Sequence, residues 1–449
     1  MSFALDARAG KALPTSAAVA RHDAAAWGLR TKRDAAVAEV PDFEALCARA
    51  AAIKDHTLDH LDTQLERFET NAMAAGAHVH WAPDAAALCA IVESLLRAHG
   101  VTRVVKSKSM LTEECGLNAF LEARGFDVVD TDLGERIVQL AGEPPSHIIV
   151  PAIHRTREEI GALFERRMDG PAGETDPERL MAHARRDLRK RFLAAEAGIT
   201  GANFAVAGTG SLVIVTNEGN ADLGTALPPL HIACVGIEKL VPELDDVPVF
   251  LRLLARSATG QPISAYTSIL TGPREGGELH VVLVDNGRSQ LLASDTHRRA
   301  LRCIRCGACL NTCPVFRRAG GHAYDNAVPG PIGAVLAPAI AGGAATALPF
   351  ASSLCGSCTA VCPVQIDLHE QLLAWRREAP ALPPMLRRGA KLAAAVMVRP
   401  RLYRAVAKLT RFAWPLLGRV PNGWTQVRAW PDHPGPSFAE RWRRTRGGA

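Results

Sequence analysis

An apolar leader is not expected. Behind Met1 runs a polar, alanine-rich stretch carrying Arg8, Lys11 and Arg21 in place of an apolar h-region, so the sequence reads as one that is not exported. Long apolar runs are scarce as well. The strongest, residues 334–351, is interrupted by Pro338, Gly342, Gly343 and Pro349 and separates two groups of cysteines that must converge. A spanning helix would hold those groups apart, and the stretch reads as a buried or partner-facing linker. No flavin or nicotinamide fingerprint, Walker-type loop or catalytic triad is present, and Gly208-Thr209-Gly210-Ser211 is too short for a dinucleotide loop. A Cys-x3-Cys-x2-Cys run for radical chemistry is also missing, because Phe316 and Gln365 stand where its third cysteine is needed. Acidic residues nearly vanish from residues 381–449, where fourteen Lys or Arg face only Asp432 and Glu440; that net +12 leaves −6 for residues 1–380 of a chain totalling +6. Such a tail is a separate electrostatic object, suited to an acidic partner or a solvated face. It carries no nucleic-acid-reading motif, and nucleic acid is not an expected partner.

What the chain does have is cysteine in one place. Seven of its eleven cysteines fall between residues 303 and 362. Cys303, Cys306, Cys309 and Cys313 are followed directly by Pro314; Cys355, Cys358 and Cys362 are followed by Pro363. The first run has the bacterial iron–sulfur spacing, in which three thiolates wrap one cluster and the fourth reaches a second. Gly307 lets the loop turn tightly, and each proline bends the chain away. Structural zinc also uses Cys-x2-Cys pairs, but a zinc site takes four ligands and would leave three of these seven unexplained.

At 449 residues the chain exceeds one ordinary core. Hydrophobic content of 48% and charged content of 22% are those of a soluble globular protein, and clustered reduced thiols point to the cytoplasm. Residues 1–40 read as a loosely ordered N-terminal extension with a basic patch at Arg30, Lys32 and Arg33. Helical periodicity then runs from Asp42 through Leu58, Leu61, Leu65 and Phe68 to Gly76. Strands are expected at 77–81, 101–105, 126–129 and 147–150, alternating with helices, the pattern of a parallel α/β sheet. Thr175-Asp176-Pro177-Glu178 opens a helix predicted to reach Glu196 and close at Gly198. Apolar runs at 202–207, 211–216, 231–235 and 280–284 are predicted to close one side of the sheet, with Gly208-Thr209-Gly210 as a tight connection. Asp295 is placed as the cap of a short helix delivering Arg302 to the first cysteine loop. Beyond the cysteines, Ile366, Leu368, Leu372, Leu373 and Trp375 predict a helix. In the tail, Leu392, Val396, Leu402, Val406 and Leu409 form an amphipathic stripe broken at Pro400, read first as packing on the cluster domain or a partner and second as peripheral membrane contact.

Other residues offer chemistry without a complete pattern. Lys106 and Lys108 sit where a strand meets a helix, the place where α/β sheets bind anions. His154 and the polar run Asn217, Glu218, Gly219, Asn220 and Asp222 hold similar positions. The alternative for each is a solvated loop residue. Cys47, Cys89, Cys115 and Cys234 read as buried thiols.

Together these stretches resemble one family. Val79-His80-Trp81-Ala82, Lys106-Ser107-Lys108-Ser109-Met110, Thr216-Asn217-Glu218-Gly219-Asn220, Pro329-Gly330-Pro331-Ile332-Gly333 and both cysteine runs are similar to those of the lactate utilization protein B family, iron–sulfur proteins of bacterial L-lactate catabolism. The resemblance covers nearly the whole chain. It implies an α/β lactate-utilization domain of the sugar-phosphate isomerase type, placed at 41–293, followed by an α-helical ferredoxin-like two-cluster domain at 294–380 and a basic C-terminal region at 381–449. It further implies that Cys303, Cys306, Cys309 and Cys362 hold one 4Fe-4S cluster and that Cys313, Cys355 and Cys358 hold a second. Ser352 stands where an eighth cysteine would complete the pair. The second centre is therefore open between a 3Fe-4S cluster and a 4Fe-4S cluster whose fourth ligand is Ser352, water, a distant thiol or a partner's group. The implied function is electron transfer in the oxidation of L-lactate to pyruvate, with lactate utilization proteins A and C as partners and an unknown acceptor; no catalytic residue is assigned. The competing reading is a self-contained hydroxy-acid oxidoreductase using Lys106, Lys108 and His154.

Overall fold

The computed structural model describes residues 15–378, 384–417 and 430–446, so Arg8 and Lys11 lie outside the described residues. The chain forms two compact units, residues 2–379 and 380–449.

In the larger unit, strands β1 (His78–Ala82), β2 (Arg103–Lys106), β3 (Asp127–Asp130) and β4 (Ala197–Gly201) belong to a parallel sheet. Between them run helices such as Ala85–Ala98, whose N-cap Asp84 accepts from the Ala87 N–H and whose buried stripe is Leu88, Val92 and Leu96. The chain next makes β5 (Phe204–Val206), β6 (Ser211–Thr216), β7 (Leu230–Gly236), β8 (Leu240–Val241), β9 (Tyr266–Leu270) and β10 (Glu278–Val284). The six-stranded sheet has the order β1-β10-β7-β4-β2-β3, every pairing parallel. Its central strand β7 is buried along its whole length, which explains the uninterrupted apolar run there.

Several expectations change. The strands after residue 202 do not all close one side of this sheet. Those at 231–235 and 280–284 lie inside it, whereas β5 and β6, joined through Gly208-Thr209-Gly210, form a second sheet of order β8-β5-β6-β9. The helix predicted to reach Glu196 stops at Ala194, and β4 follows as an interior strand. Gly198 is no helix stop: a Cβ there would lie 1.9 Å from the Gly224 carbonyl oxygen, so the glycine admits helix Asn220–Ala226 against the sheet. No strand forms at 147–150. His147 Nδ1 instead accepts from the N–H groups of Ile149 (2.9 Å) and Val150 (3.2 Å), which curls the backbone into a turn. Residues 42–76 make two helices, Phe43–Asp59 and Leu61–Ala74, broken at His60. Asp295 caps nothing, since the 3-10 turn Arg298–Arg302 begins after His297.

The N-terminal extension is ordered from Thr15, whose hydroxyl caps helix Ser16–Ala38. Two members of its basic patch are tied down. Arg30 donates to Thr312 at 2.6 Å, Arg33 to the Val361 carbonyl at 3.1 Å, and Asp23 pairs with Arg317 at 2.6 Å, so the helix lies against residues bordering both cysteine runs. The apolar stretch predicted to be a linker begins as the buried helix Gly330–Ile340, against which helix Leu368–Glu378 packs, with Trp375 donating to the Val335 carbonyl at 2.9 Å.

The smaller unit has helices Pro384–Met397, Pro400–Leu417 and Phe438–Arg446. Val396, Tyr403, Val406 and Trp414 line an apolar groove, Arg411 pairs with Glu440 at 3.1 Å, and Leu392 and Leu409 stay exposed. Among the described residues no helix is long and apolar enough to cross a membrane.

Candidate metal centre and its adjoining cleft

The cysteine loops are built by backbone that only a few residues adopt readily. Arg305, Gly307, Leu354, Gly356 and Gln365 all have positive φ, each within three residues of a cysteine, and curl the chain so that N–H groups turn back onto sulfur. Arg305 N–H meets Cys303 Sγ at 3.3 Å and Ile366 N–H meets Cys362 Sγ at 3.3 Å. Backbone groups near residues 308, 315–316, 357 and 359 do the same for Cys306, Cys313, Cys355 and Cys358. At Gly307 a Cβ would lie 2.9 Å from Ile149 Cγ1, so the turn at 147–150 lids this loop.

Cys303, Cys306, Cys309 and Cys362 border one small apolar cavity with Ile148, Ile332 and Val364. Burial pushes the Cys362 thiol up to about 12 and Cys358 to about 11, and raises the Cys306 and Cys309 thiols as well. Cys355 is the exposed member, and N–H and hydroxyl donors from Ser357 and Ser353 pull its thiol down. Cys313 is close enough to Cys355 and Cys358 to feel their charge, and Cys309 feels Cys358, so the two sets adjoin. Among the described residues one triad is compact enough for a single metal ion, and it includes none of these cysteines. Zinc would need sulfurs ~3.8 Å apart, from Zn–S bonds of about 2.3 Å. The wider sulfur spacing, the inward N–H donors and the cavity fit iron–sulfur clusters. A further sign of fit is Tyr324: its buried hydroxyl faces the Cys313 sulfur and meets no other polar partner. Ser352, by contrast, spends its hydroxyl oxygen on the Leu354 N–H (3.1 Å) and its carbonyl on Arg376 (2.7 Å).

Beside this centre a polar cleft of about 300 Å³ opens at the carboxyl ends of β2, β4 and β7. Strand order reverses between β2 and β4, the switch point where open α/β sheets hold ligands. Lys108, Asp132, Asn217, Glu218, Lys239 and Arg305 line the cleft. Lys108 donates to Asp132 at 3.1 Å and to the Ile149 carbonyl at 3.0 Å. Burial draws the Lys239 ammonium down to about 8, against the pull of Glu238. Arg305, from the first cysteine loop, lies 3.9 Å from both Glu114 and Glu238, which clamp the buried Arg288 at 2.9 and 2.6 Å. Cleft and cluster loop thus share a wall.

The candidates separate accordingly. Lys108, Asn217, Glu218 and Asn220 line the cleft. Lys106 does not: it is fully buried, 2.8 Å from Asp130, 3.1 Å from Glu113 and 3.9 Å from Glu135, a charge already neutralised. His154 bonds Glu143 at 2.9 Å and packs on His322, away from the cleft lining. Asp222 is engaged by Ser268. Cys47, Cys89 and Cys234 are buried thiols and Cys115 a half-buried one, with burial raising Cys47 and Cys115 to about 12. Lys239, Glu238, Arg288 and Arg305 escape the sequence reading, although Glu238 and Lys239 follow the end of β7, where that same strand-end rule could have found them.

A model of the LUD domain matches residues 65–290, and one of the 4Fe-4S dicluster domain matches residues 299–366. Lactate utilization protein B of Shouchella clausii is 43% identical over 90% of this chain and 88% of its own length; that of Geobacillus thermodenitrificans is 42% identical over 93% and 92%. An uncharacterized electron transport protein of Escherichia coli K12 is 42% identical over 90% and 89%. With an α/β LUD domain ahead of a helical 4Fe-4S dicluster domain, the chain belongs to the lactate utilization protein B family.

Proposed function

We propose that the chain is the iron–sulfur electron-transfer component of a cytoplasmic assembly that oxidises L-lactate to pyruvate, with lactate utilization proteins A and C as partners and the basic tail as its peripheral contact surface. The observation that carries this reading is the shared wall: Arg305 lines the cleft and lies between two cysteines of the first loop. Oxidation of lactate releases two electrons and two protons, and a pair of clusters, when bound, supplies one-electron acceptors for both electrons. Cys303, Cys306, Cys309 and Cys362 are assigned to the first cluster and Cys313, Cys355 and Cys358 to the second. The chain's own residues aim N–H groups at the sulfurs of the first site, which favours the reduced state, and exclude water from it, which opposes the added negative charge. The test is anaerobic purification with iron and sulfide counts, then EPR after adding L-lactate with and without the partner proteins. Reduction only with partners is expected; zinc without sulfide, or no reduction in the full mixture, overturns the assignment.

A second reading, a hydroxy-acid site in this chain itself, is favoured by Lys108, Lys239 and Arg305 around the cleft, cations able to hold a carboxylate. It requires lactate-dependent reduction of the isolated chain.

Tyr324 gives a prediction at the second centre. Its buried hydroxyl faces the Cys313 sulfur with no other polar partner, and a hydrogen bond from it to a cluster sulfur would stabilise the more negative, reduced state. Tyr324→Phe is expected to keep the iron and lower the midpoint potential of that centre in an EPR-monitored titration. Loss of iron instead would make the phenol oxygen the fourth ligand, and an unchanged potential would remove Tyr324 from the site.

A further inference from the structure

At the opposite ends of the strands from the cleft, three segments bring four histidines and a glutamate together. His78 on β1 lies directly across from His280 on β10, and their rings stack at 4.8 Å. The two-residue period of a strand puts His80 and Glu278 on the same face. His99, ending helix Ala85–Ala98, closes the group from the side.

The hydrogen bonds define which nitrogens are free. His99 Nδ1 is 2.8 Å from the Leu95 carbonyl oxygen, a contact that needs an N–H, so the neutral ring carries its lone pair on Nε2. That atom faces Glu278 Oε2 at 3.1 Å, and the same oxygen is 3.4 Å from His280 Nε2. Acceptors facing a carboxylate at such distances call for a cation among them. His280 Nδ1 is 3.0 Å from His80 Nε2; with its proton on Nδ1 donated to His80, the ring turns the Nε2 lone pair toward Glu278.

We propose that His78, Glu278 and His280 form a binding site for a zinc-class divalent ion, with His99 as a further ligand and His80 as the hydrogen-bond partner that fixes the His280 tautomer. The donor atoms of the triad all lie within 4.8 Å of one another. His78 and Glu278 are exposed, while buried His280 gives a fixed anchor. Neutral imidazoles with one carboxylate select zinc and its transition-metal neighbours over magnesium or calcium. The ion would pin edge strand β1 to β10 and to the end of the helix that follows β1.

The test uses the full chain carrying its iron–sulfur clusters, titrated with cobalt(II) as a spectroscopic probe and competed with zinc. One equivalent is expected to bind with d–d bands of nitrogen and oxygen ligation, without sulfur-to-cobalt charge transfer and without loss of iron. Glu278→Gln, at an exposed position, and His78→Gln with His280→Gln should weaken binding at least about tenfold, and His80→Gln by about 10–100-fold, the range for outer partners of metal-bound histidine. Absence of cobalt binding would leave a proton as the only cation there and overturn the site. Equal binding by the variants, or a sulfur charge-transfer band, would overturn it as well.

Discussion

Cys309→Ser is expected to remove about four irons, the content of one cluster, with their sulfides, because a cubane loses its hold when one of four thiolates becomes a poorly matched alcohol. Of the first set, Cys306 and Cys309 are the buried pair. Cys309 sits on the short helix Ala308–Thr312, wholly buried, and feels Cys303, Cys306 and Cys362 from its own set and Cys358 from the other. Its loss should therefore abolish the first EPR signal and also alter the second, since magnetic coupling between adjoining clusters disappears. Cys47→Ser is the control. Cys47 is buried in the same core and close enough to Cys362 to feel its charge, yet it belongs to no loop with inward N–H groups. Full iron content in Cys47→Ser and the loss of about four irons in Cys309→Ser would support the ligand sets; iron loss from Cys47→Ser would bring in a distant thiol and break them.

The contrast between these cysteines also explains what could be read without coordinates. Cluster loops are local. Spacings of two and three residues, a glycine and a following proline carry most of the geometry, and the structure adds only the positive φ values at Arg305, Leu354 and Gln365 that composition does not betray. The parallel sheet was equally legible, because apolar strands alternating with capped helices leave few other arrangements. The cleft was not. Lys106 and Lys108 are two residues apart and read alike, and a continued strand would put both on one face; but β2 ends at Lys106, which meets the interior carboxylates, and the loop that follows leaves Lys108 in the cleft. Arg305 and Lys239 meet across sixty-six residues of chain, and the helix Ser16–Ala38 finds its partners near residues 312 and 361. Such pairings depend on tertiary packing, which no local pattern encodes. The turn at 147–150 misled for a related reason: its apolar residues cover a cluster loop rather than fill a strand, and the His147 ring supplies the hydrogen bonds that a neighbouring strand would have made.

Lys106→Met should cost about 3–5 kcal/mol, the penalty for stranding buried charge by removing its partner. The ammonium is the cation among three carboxylates: Asp130 at 2.8 Å, Glu113 at 3.1 Å and Glu135 at 3.9 Å. Neither Glu135 oxygen has a hydrogen-bond partner, and burial already holds this carboxyl well above the usual range. An acid whose folded pKa lies above its unfolded value binds its proton more tightly when folded. Its contribution is complete below the unfolded pKa and is lost as pH rises through the folded one. Removing the Lys106 charge raises the Glu135 carboxyl further, so the deficit of Lys106→Met should be smallest near pH 4 and grow toward pH 8 in thermal melts of the cluster-loaded protein. Adding Glu135→Gln should recover part of the loss at pH 8 and little at pH 4. A pH-independent deficit, or no recovery from Glu135→Gln, would mean that packing rather than charge balance sets the role of Lys106. The cleft depends on this balance because β2 carries Lys106 at its end and Lys108 two residues later. A buried, neutralised Lys106 anchors the strand end from which Lys108 reaches the cleft wall, and the same variant should therefore disturb that wall without touching a cluster ligand.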